Sequence, residues 1–296
     1  MRVAAIDCGT NSIRLLISDE GSDVARRMEI VRLGEGVDRT GRLSERAIER
    51  TRQALLGYAA EIAELGVQRV RMVATSASRD ASNADDFRAM VKSVLGVAPE
   101  VITGDEEASL SFLGAVRDLT GGDTKLVVDI GGGSTEFITG VTEVDAAISV
   151  DIGCVRMTER HLRGDPPTPA EIAAAERDIT TAVGRALGVV GNGTLVGLAG
   201  SVTTVAALAL DLPGYDASRI HHARISYDDV ARVTAGLLRM TVAERLALPV
   251  MHSGRADVIG AGALILRIVM ELAQQGAVIA SEHDILDGIA AGLSRS

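Results

Sequence analysis

The most regular feature of the chain is a pair of short apolar runs broken by a small-residue turn, and it occurs twice. The first copy runs Arg2-Val3-Ala4-Ala5-Ile6, then Asp7-Cys8-Gly9-Thr10-Asn11-Ser12, then Ile13-Arg14-Leu15-Leu16-Ile17. The second starts at Lys125, passes through Asp129-Ile130-Gly131-Gly132-Gly133-Ser134-Thr135 and continues as Glu136-Phe137-Ile138-Thr139. Apolar runs flanking a Gly/Ser/Thr tip predict a β-hairpin in each place. The Asp residues that head the two tips lie 122 positions apart (129 − 7). The chain therefore reads as two halves of one kind, each opening with an Asp-headed hairpin.

Between and after the hairpins the period changes. Ile48, Leu55, Ala59, Ile62 and Leu65 fall at helical spacing, which predicts a helix over 44–65 with Gly66 as its stop. A strand over 69–74, a helix over 83–95, a strand over 100–103 and a helix over 107–116 complete the first half. Thr120 to Thr124 reads as the linker, so the expected domains are 1–119 and 120–296. In the second half, Thr168-Pro169-Ala170-Glu171 and Thr241-Val242-Ala243-Glu244 carry the capping-box pattern of helix starts. A strand over 195–198 feeds a third small-residue loop, Ala199-Gly200-Ser201-Val202-Thr203-Thr204. Strand–helix alternation of this sort predicts α/β domains.

With 296 residues, two domains fit the length. The 47% apolar and 24% charged residues suit a globular chain, and the 2% aromatics leave its core to Ala, Val, Ile and Leu. A net charge of −10 argues against a general nucleic-acid binder, which needs a broad basic surface. It leaves room for a polyanion in a local basic groove. Only Lys92 and Lys125 are lysines, so 28 of the basic residues (30 − 2) are arginines, the better bidentate phosphate ligand. Cys8 and Cys154 are far apart, without a CxxC or a His at metal-ligand spacing, and predict no disulfide framework. The chain opens directly on a strand, and the most apolar stretch, 258–278, is interrupted by Arg267 and Glu271. It reads as a buried helix rather than a membrane span, and the expected compartment is the cytoplasm.

The chemistry concentrates at the strand-end tips. Small residues let several backbone N–H groups close on a phosphate, and an Asp at the strand end offers a hard oxygen for Mg²⁺. Neither a GxxxxGK[ST] loop nor G-x-G-x-x-G spacing occurs. The arrangement resembles the superfamily of actin, sugar kinases and heat-shock chaperone ATPases. It implies an ASKHA architecture: two related actin-like, ribonuclease H-like α/β domains with a cleft between them.

The resemblance narrows to one family, the exopolyphosphatase/guanosine pentaphosphate phosphohydrolase (Ppx/GppA) family. The stretches that carry it are Asp7–Arg14, Ala74–Asp80, Thr103–Ala108, Asp129–Glu136, Asp151–Arg156, Gly197–Ser201 and Ser281–Gly288. The helical, HD-domain-like C-terminal extension of long members is missing, so the chain resembles a short form. The resemblance implies that Glu107 is the general base that activates water, its basicity raised by partial burial, with Glu106 its solvent-facing neighbour. It implies Mg²⁺ held by Asp129 and Glu136, with Asp7 as a third carboxylate. Mn²⁺ is the alternative ion and K⁺ a candidate activator. Phosphate would be bound by Gly131, Gly132, Ser134 and Thr135, by Asn11, Ser12 and Arg14, by Arg79, and by Gly200 and Ser201. A homodimer is the implied assembly.

Three functions compete. Release of orthophosphate from the end of inorganic polyphosphate leads, and the poverty in aromatics, which leaves little to stack on a base, tilts toward it. Hydrolysis of the 5′ γ-phosphate of guanosine pentaphosphate (pppGpp) would use the same residues. A non-hydrolytic sensor of phosphorylated nucleotides is the third. A short form also predicts a preference for short polyphosphates. Among the remaining residues, His221 and His222 are adjacent and predict a turn or surface role, and neither His252 nor His283 has a metal-ligand partner at useful spacing. Arg255, Asp257, Glu282 and Asp284 read equally as site-lining residues or as ordinary ion pairs. Cys154, in a strand-like context, reads as buried.

Overall fold

The structure, a computed structural model, describes residues 1–295. Eleven strands are found among them: β1 Arg2–Cys8, β2 Ser12–Asp19, β3 Ser22–Ile30, β4 Arg69–Ala74, β5 Glu100–Val101, β6 Lys125–Ile130, β7 Thr135–Gly140, β8 Val144–Val150, β9 Thr194–Leu198, β10 Arg224–Ser226 and β11 Ala277–Ala280. They form two sheets, of order β3-β2-β1-β4-β5 and β10-β11-β9-β6-β7-β8. In both sheets a three-stranded antiparallel meander continues through parallel strands: β1 pairs with β4 and β4 with β5, as β6 pairs with β9 and β9 with β11. The expected duplication is thus a duplication of topology, the actin-like, ribonuclease H-like order, with β10 as an extra edge strand in the second copy.

The chain divides into a first unit of residues 1–114 together with the segment from Ile285 onward, and a second unit of residues 115–284. This differs from the expected boundary at 119/120 in one important respect. The last helix, Ile285–Arg295, belongs with the first unit, because Ile285, Leu286, Ile289, Ala290 and Leu293 bury against Val3, Ala5, Leu16 and Val73. Arg26 donates to the Asp287 carboxylate at 2.7 Å, and Arg69 to the Leu293 carbonyl at 2.8 Å. β1 is consequently covered on both faces. Val3 and Ala5 face this helix, while Ala4, Ile6 and Cys8 face the core that includes Leu15, Leu55 and Phe87.

In the second unit the even residues of β6, Leu126, Val128 and Ile130, enter a large core completed by the helices Pro169–Val190 and Ile259–Leu272. The expected helix in 258–278 is the latter, and eleven of its residues from Ile259 to Met270 are buried, so it is core. Both capping boxes form, at Thr168 with Glu171 and at Thr241 with Glu244. The expected loop over 199–204 is instead the start of a helix, Ala199–Ala209, that leaves β9 directly. Ala199 adopts φ 65°, which turns the chain sharply enough to need no loop. No helix among the described residues is long and apolar enough to cross a membrane.

Candidate active site

The two hairpin tips are built alike. Asp7 pairs with Arg14 across β1 and β2, and Asp129 pairs with Glu136 across β6 and β7. Each Asp is one residue from the strand end, and each four-residue tip is closed by one hydrogen bond: Gly9 N to Ser12 O at 2.9 Å, Gly131 N to Ser134 O at 3.0 Å. What differs is the residue opposite the Asp.

In the first unit the opposite residue is basic. Arg14 donates to Asp7 Oδ2 from Nη2 at 2.7 Å and from Nε at 3.1 Å, and Asp7 is 5% exposed. Asp7, expected to hold a metal, is therefore tied to Arg14, expected to hold phosphate. The tip is braced from two sides. Asn11 O accepts from the Val31 and Arg32 amides, and Thr10 Oγ1 lies 2.9 Å from Ser76 Oγ at the start of the helix Ser76–Asp80. Ser12 stands half-buried beside them.

Arg79, on that same helix, donates to the Ile102 carbonyl at 2.9 Å and to Glu107 Oε2 at 3.1 Å. Glu107 is buried in the first turn of the helix Gly104–Val116, which starts three residues earlier than expected. Thr103 explains the start, since its side chain accepts the Glu106 amide and its carbonyl the Glu107 amide. Glu106 faces solvent and pairs with Arg71 at 2.9 Å. By strand parity Asp7 continues the Val3, Ala5 series, so it lies on the sheet face that this helix covers through Leu110.

In the second unit Glu136 opposes Asp129, and both carboxylates are buried, at 1% and 8% exposure. Glu136 also accepts from Ser149 Oγ at 2.7 Å, its neighbour on β8. The Gly131-Gly132-Gly133 carbonyls point into the start of the helix Cys154–His161. They accept from the amides of Cys154, Val155 and Arg156 at 2.9–3.1 Å and from Arg156 Nε at 2.7 Å. With the carbonyls turned to one side, the amides of Gly132, Gly133 and Ser134 donate to no acceptor among the described residues. Three successive free amides at one turn can serve as a nest for an anion. Thr135, expected in the cradle, instead donates its hydroxyl to the Ile152 carbonyl and is fully buried, so it supports the tip from behind.

Gly200 and Ser201 lie in the first turn of the helix Ala199–Ala209. The Arg255 guanidinium packs over Gly200 and donates to Thr204 Oγ1 at 2.8 Å. Ser201 is turned inward against Gly262 and Cys154. Sequence alone left Arg255 open between site residue and ion pair; the structure places it against the start of the helix Ala199–Ala209. Cys154, expected in a strand-like context, begins a helix, since its amide is captured by Gly131. Cys8 and Cys154 are both buried free thiols, and burial raises the pKa of each.

A duplicated Asp-headed hairpin with a buried carboxylate pair, an anion nest and a helix-borne Glu defines the class of protein as a phosphate-handling member of the actin-like fold. Residues 17–294 match the Ppx/GppA phosphatase family, and the chain belongs to it. It is 51% identical over 314 aligned positions to a Mycobacterium tuberculosis protein named Exopolyphosphatase 2, covering 99% of this chain and 98% of that one. Among solved structures it is similar to an exopolyphosphatase-like protein, at 43% identity and TM-score 0.94 with 100% and 99% of the two chains covered. It is likewise similar to the Aquifex aeolicus Ppx/GppA family member, at 34% identity and TM-score 0.84 with 100% and 99% covered.

Proposed function

We propose that this chain is an exopolyphosphatase, hydrolysing the terminal phosphoanhydride of inorganic polyphosphate to release orthophosphate. The observation that carries the reading is the pairing of two buried carboxylates, Asp129 and Glu136, with the free amides of Gly132, Gly133 and Ser134 at the same hairpin tip. Like charges facing each other on a sheet are unfavourable unless a cation lies between them. Hard oxygen donors fit Mg²⁺, or Mn²⁺ in its place, and the ion would neutralise phosphate oxygens as charge moves onto the leaving group.

In this reading the nest binds the phosphoryl oxygens, supplemented by the first turn of the helix Ala199–Ala209 and by Arg255. Asn11, Ser12 and Gly9 supply the corresponding tip of the first unit. Glu107 takes the proton of the attacking water, and Arg79 holds its carboxylate in place. Phosphoryl transfer asks mainly for positioning and charge neutralisation, which these residues supply.

Polyphosphate is favoured over pppGpp by a surface recess of about 560 Å³ in the first unit, lined by Arg39, Arg42 and Arg46 together with Arg50, which is paired with Glu35. Guanidinium groups suit an unbroken polyanion, and no aromatic side chain lines that recess. A preference for short chains, a homodimeric state and a cytoplasmic location belong to the same proposal. Light scattering checks the dimer.

The test is phosphate release from short-chain polyphosphate and from pppGpp, side by side, with Mg²⁺ or EDTA, for the wild type and Glu107→Gln. Mg²⁺-dependent release from polyphosphate that is lost in the variant supports the proposal. Release from pppGpp alone transfers it to the nucleotide, and binding without release from either makes the chain a sensor. A chain-length series with kcat/KM as high on very long chains as on short ones refutes the short-chain preference.

A further inference from the structure

Three side chains of the second unit that are remote in sequence end at one place. Asp118 follows the helix Gly104–Val116, His221 lies in the turn after the helix Ala217–Ile220, and His283 lies between β11 and the C-terminal helix. One potential ligand atom of each lies within 4.8 Å of the others. Asp118 Oδ2 and His283 Nδ1 are 2.6 Å apart, yet Nδ1 forms no directed hydrogen bond. That closeness is the spacing of a charged pair, and a cation taken up by both atoms would part them to the wider spacing of ligands on one ion.

The surroundings agree. The His221 ring meets His283 with centroids 4.5 Å apart and stacks on His222 at 3.7 Å. His222 Nε2 is buried and has no hydrogen-bond partner, and it feels the charges of both Asp118 and His283. It is therefore placed to receive a hydrogen bond from a water bound in this cluster. His221 Nδ1 accepts from the Glu282 amide at 3.2 Å, which leaves Nε2 as the ring nitrogen to offer an ion. Asp118 is exposed and the two histidines are half-buried, which leaves an approach from solvent.

We propose that Asp118, His221 and His283 form a site for a divalent transition-metal ion, with Zn²⁺ the best fit. Two imidazoles and one carboxylate select a borderline ion over Mg²⁺ or Ca²⁺, and three protein ligands leave a position for water. The site shares no residue with the Asp129–Glu136 pair. Asp118 lies just inside the start of the second unit and His283 just before its end, so the ion would tie the entering and leaving segments of that unit together.

The experiment is Co²⁺ titration of the chelator-stripped full-length protein, followed by visible absorption and by displacement with Zn²⁺. One Co²⁺ per chain is expected, with the intense visible bands of a low-coordinate site, lost on adding Zn²⁺ and unaffected by excess Mg²⁺. Asp118→Asn and His283→Gln should each weaken binding by more than the roughly 10- to 100-fold typical of losing a mere outer partner of a ligand. Asp129→Asn should bind Co²⁺ as the wild type does. Should His283→Gln fail to fold, Asp118→Asn decides, because that residue is exposed. Absence of stoichiometric Co²⁺, equal binding by Asp118→Asn, or loss of the bands in Asp129→Asn overturns the proposal, whatever the phosphatase assays give.

Discussion

Asp129 and Glu136 stand directly opposite each other on β6 and β7, buried carboxylate against buried carboxylate. The first hairpin has Asp7 opposite Arg14 at the same register, so its charge is balanced from within. In the second hairpin the residue at that register is a second acid, so the strand pair itself sets like charges side by side. Asp129→Asn and Glu136→Gln are expected to relieve the repulsion, by about 0.2–1 kcal/mol for a cross-strand pair. Each variant should melt higher than the wild type in EDTA while losing phosphate release. Thermal unfolding in EDTA and in Mg²⁺ checks this. A Mg²⁺-induced rise in Tm that survives in both variants would mean that the ion binds elsewhere.

Glu107 and Arg79 divide a task. Glu107→Gln keeps the shape and the Arg79 contact but cannot take a proton, so kcat should fall by about 10²- to 10⁴-fold, the range for a general base. Arg79 donates to both Glu107 and the Ile102 carbonyl, which assigns it to positioning. Arg79→Met should accordingly lower kcat with KM little changed. A rise in KM at constant kcat would instead make Arg79 a direct phosphate ligand.

Much of this architecture is legible in the sequence because the hairpins are local. An apolar run, four small residues and a second apolar run specify register without help from the rest of the chain, and Thr168 and Thr241 fix helix starts by capping within one turn. The illegible parts depend on contacts distant in sequence. The C-terminal helix joins the first unit only because Ile285, Ile289 and Leu293 complete the far face of β1. The Thr135 hydroxyl is diverted to Ile152, and Arg255 meets Gly200 from 55 positions away (255 − 200). His221 and His283 share no spacing pattern, being 62 positions apart (283 − 221), and only the fold makes them neighbours.

The nest depends on a residue outside it. A Cβ at Gly153 would lie 2.3 Å from the Gly132 carbonyl oxygen and 2.6 Å from the Gly133 nitrogen, both backbone atoms. Gly153→Ala must therefore push the tip 131–134 off the helix Cys154–His161. Substrate binding should suffer more than stability, since the displacement falls on the tip itself and the core residues of β6 are unchanged. The expected outcome is a KM raised at least about tenfold, a loss of roughly 1.4 kcal/mol in binding, with the circular dichroism spectrum unaltered. Wild-type kinetics in Gly153→Ala would remove the nest from the site.

The buried thiols set an alkaline limit. Burial, with a smaller push from the Asp7 charge, raises the Cys8 thiol well above its ordinary value of 9.0. The folded state thus holds the proton more tightly than the unfolded chain. The resulting stability is complete below the unfolded thiol's pKa and disappears as pH climbs through the folded one. Stability should be insensitive to this group up to about pH 8.5 and decline above it, with the slope reduced in Cys8→Ala. Urea unfolding across pH 7–10 checks it. Thiol labelling at pH 8 should be slow until denaturant is added, and fast labelling of the native protein would contradict the burial.

Gly288 is the point where the C-terminal helix meets the helix that carries Glu107. A Cβ there would stand 2.1 Å from the Leu110 carbonyl oxygen, closer than any van der Waals contact allows, and neither backbone can yield alone. Gly288→Ala must separate the helices Ile285–Arg295 and Gly104–Val116 or tilt one of them. Overpacking of this sort costs about 1–3 kcal/mol. Because Glu107 lies one turn before Leu110, the same displacement should move the general base, and kcat should fall along with stability. Leu293→Ala, at the far end of the same helix, removes packing without forcing that displacement. It should cost about 2–5 kcal/mol in urea unfolding, as core truncations do, and leave kcat intact at temperatures where the protein stays folded. Equal kcat losses in the two variants would show that the C-terminal helix acts on the site only through global stability.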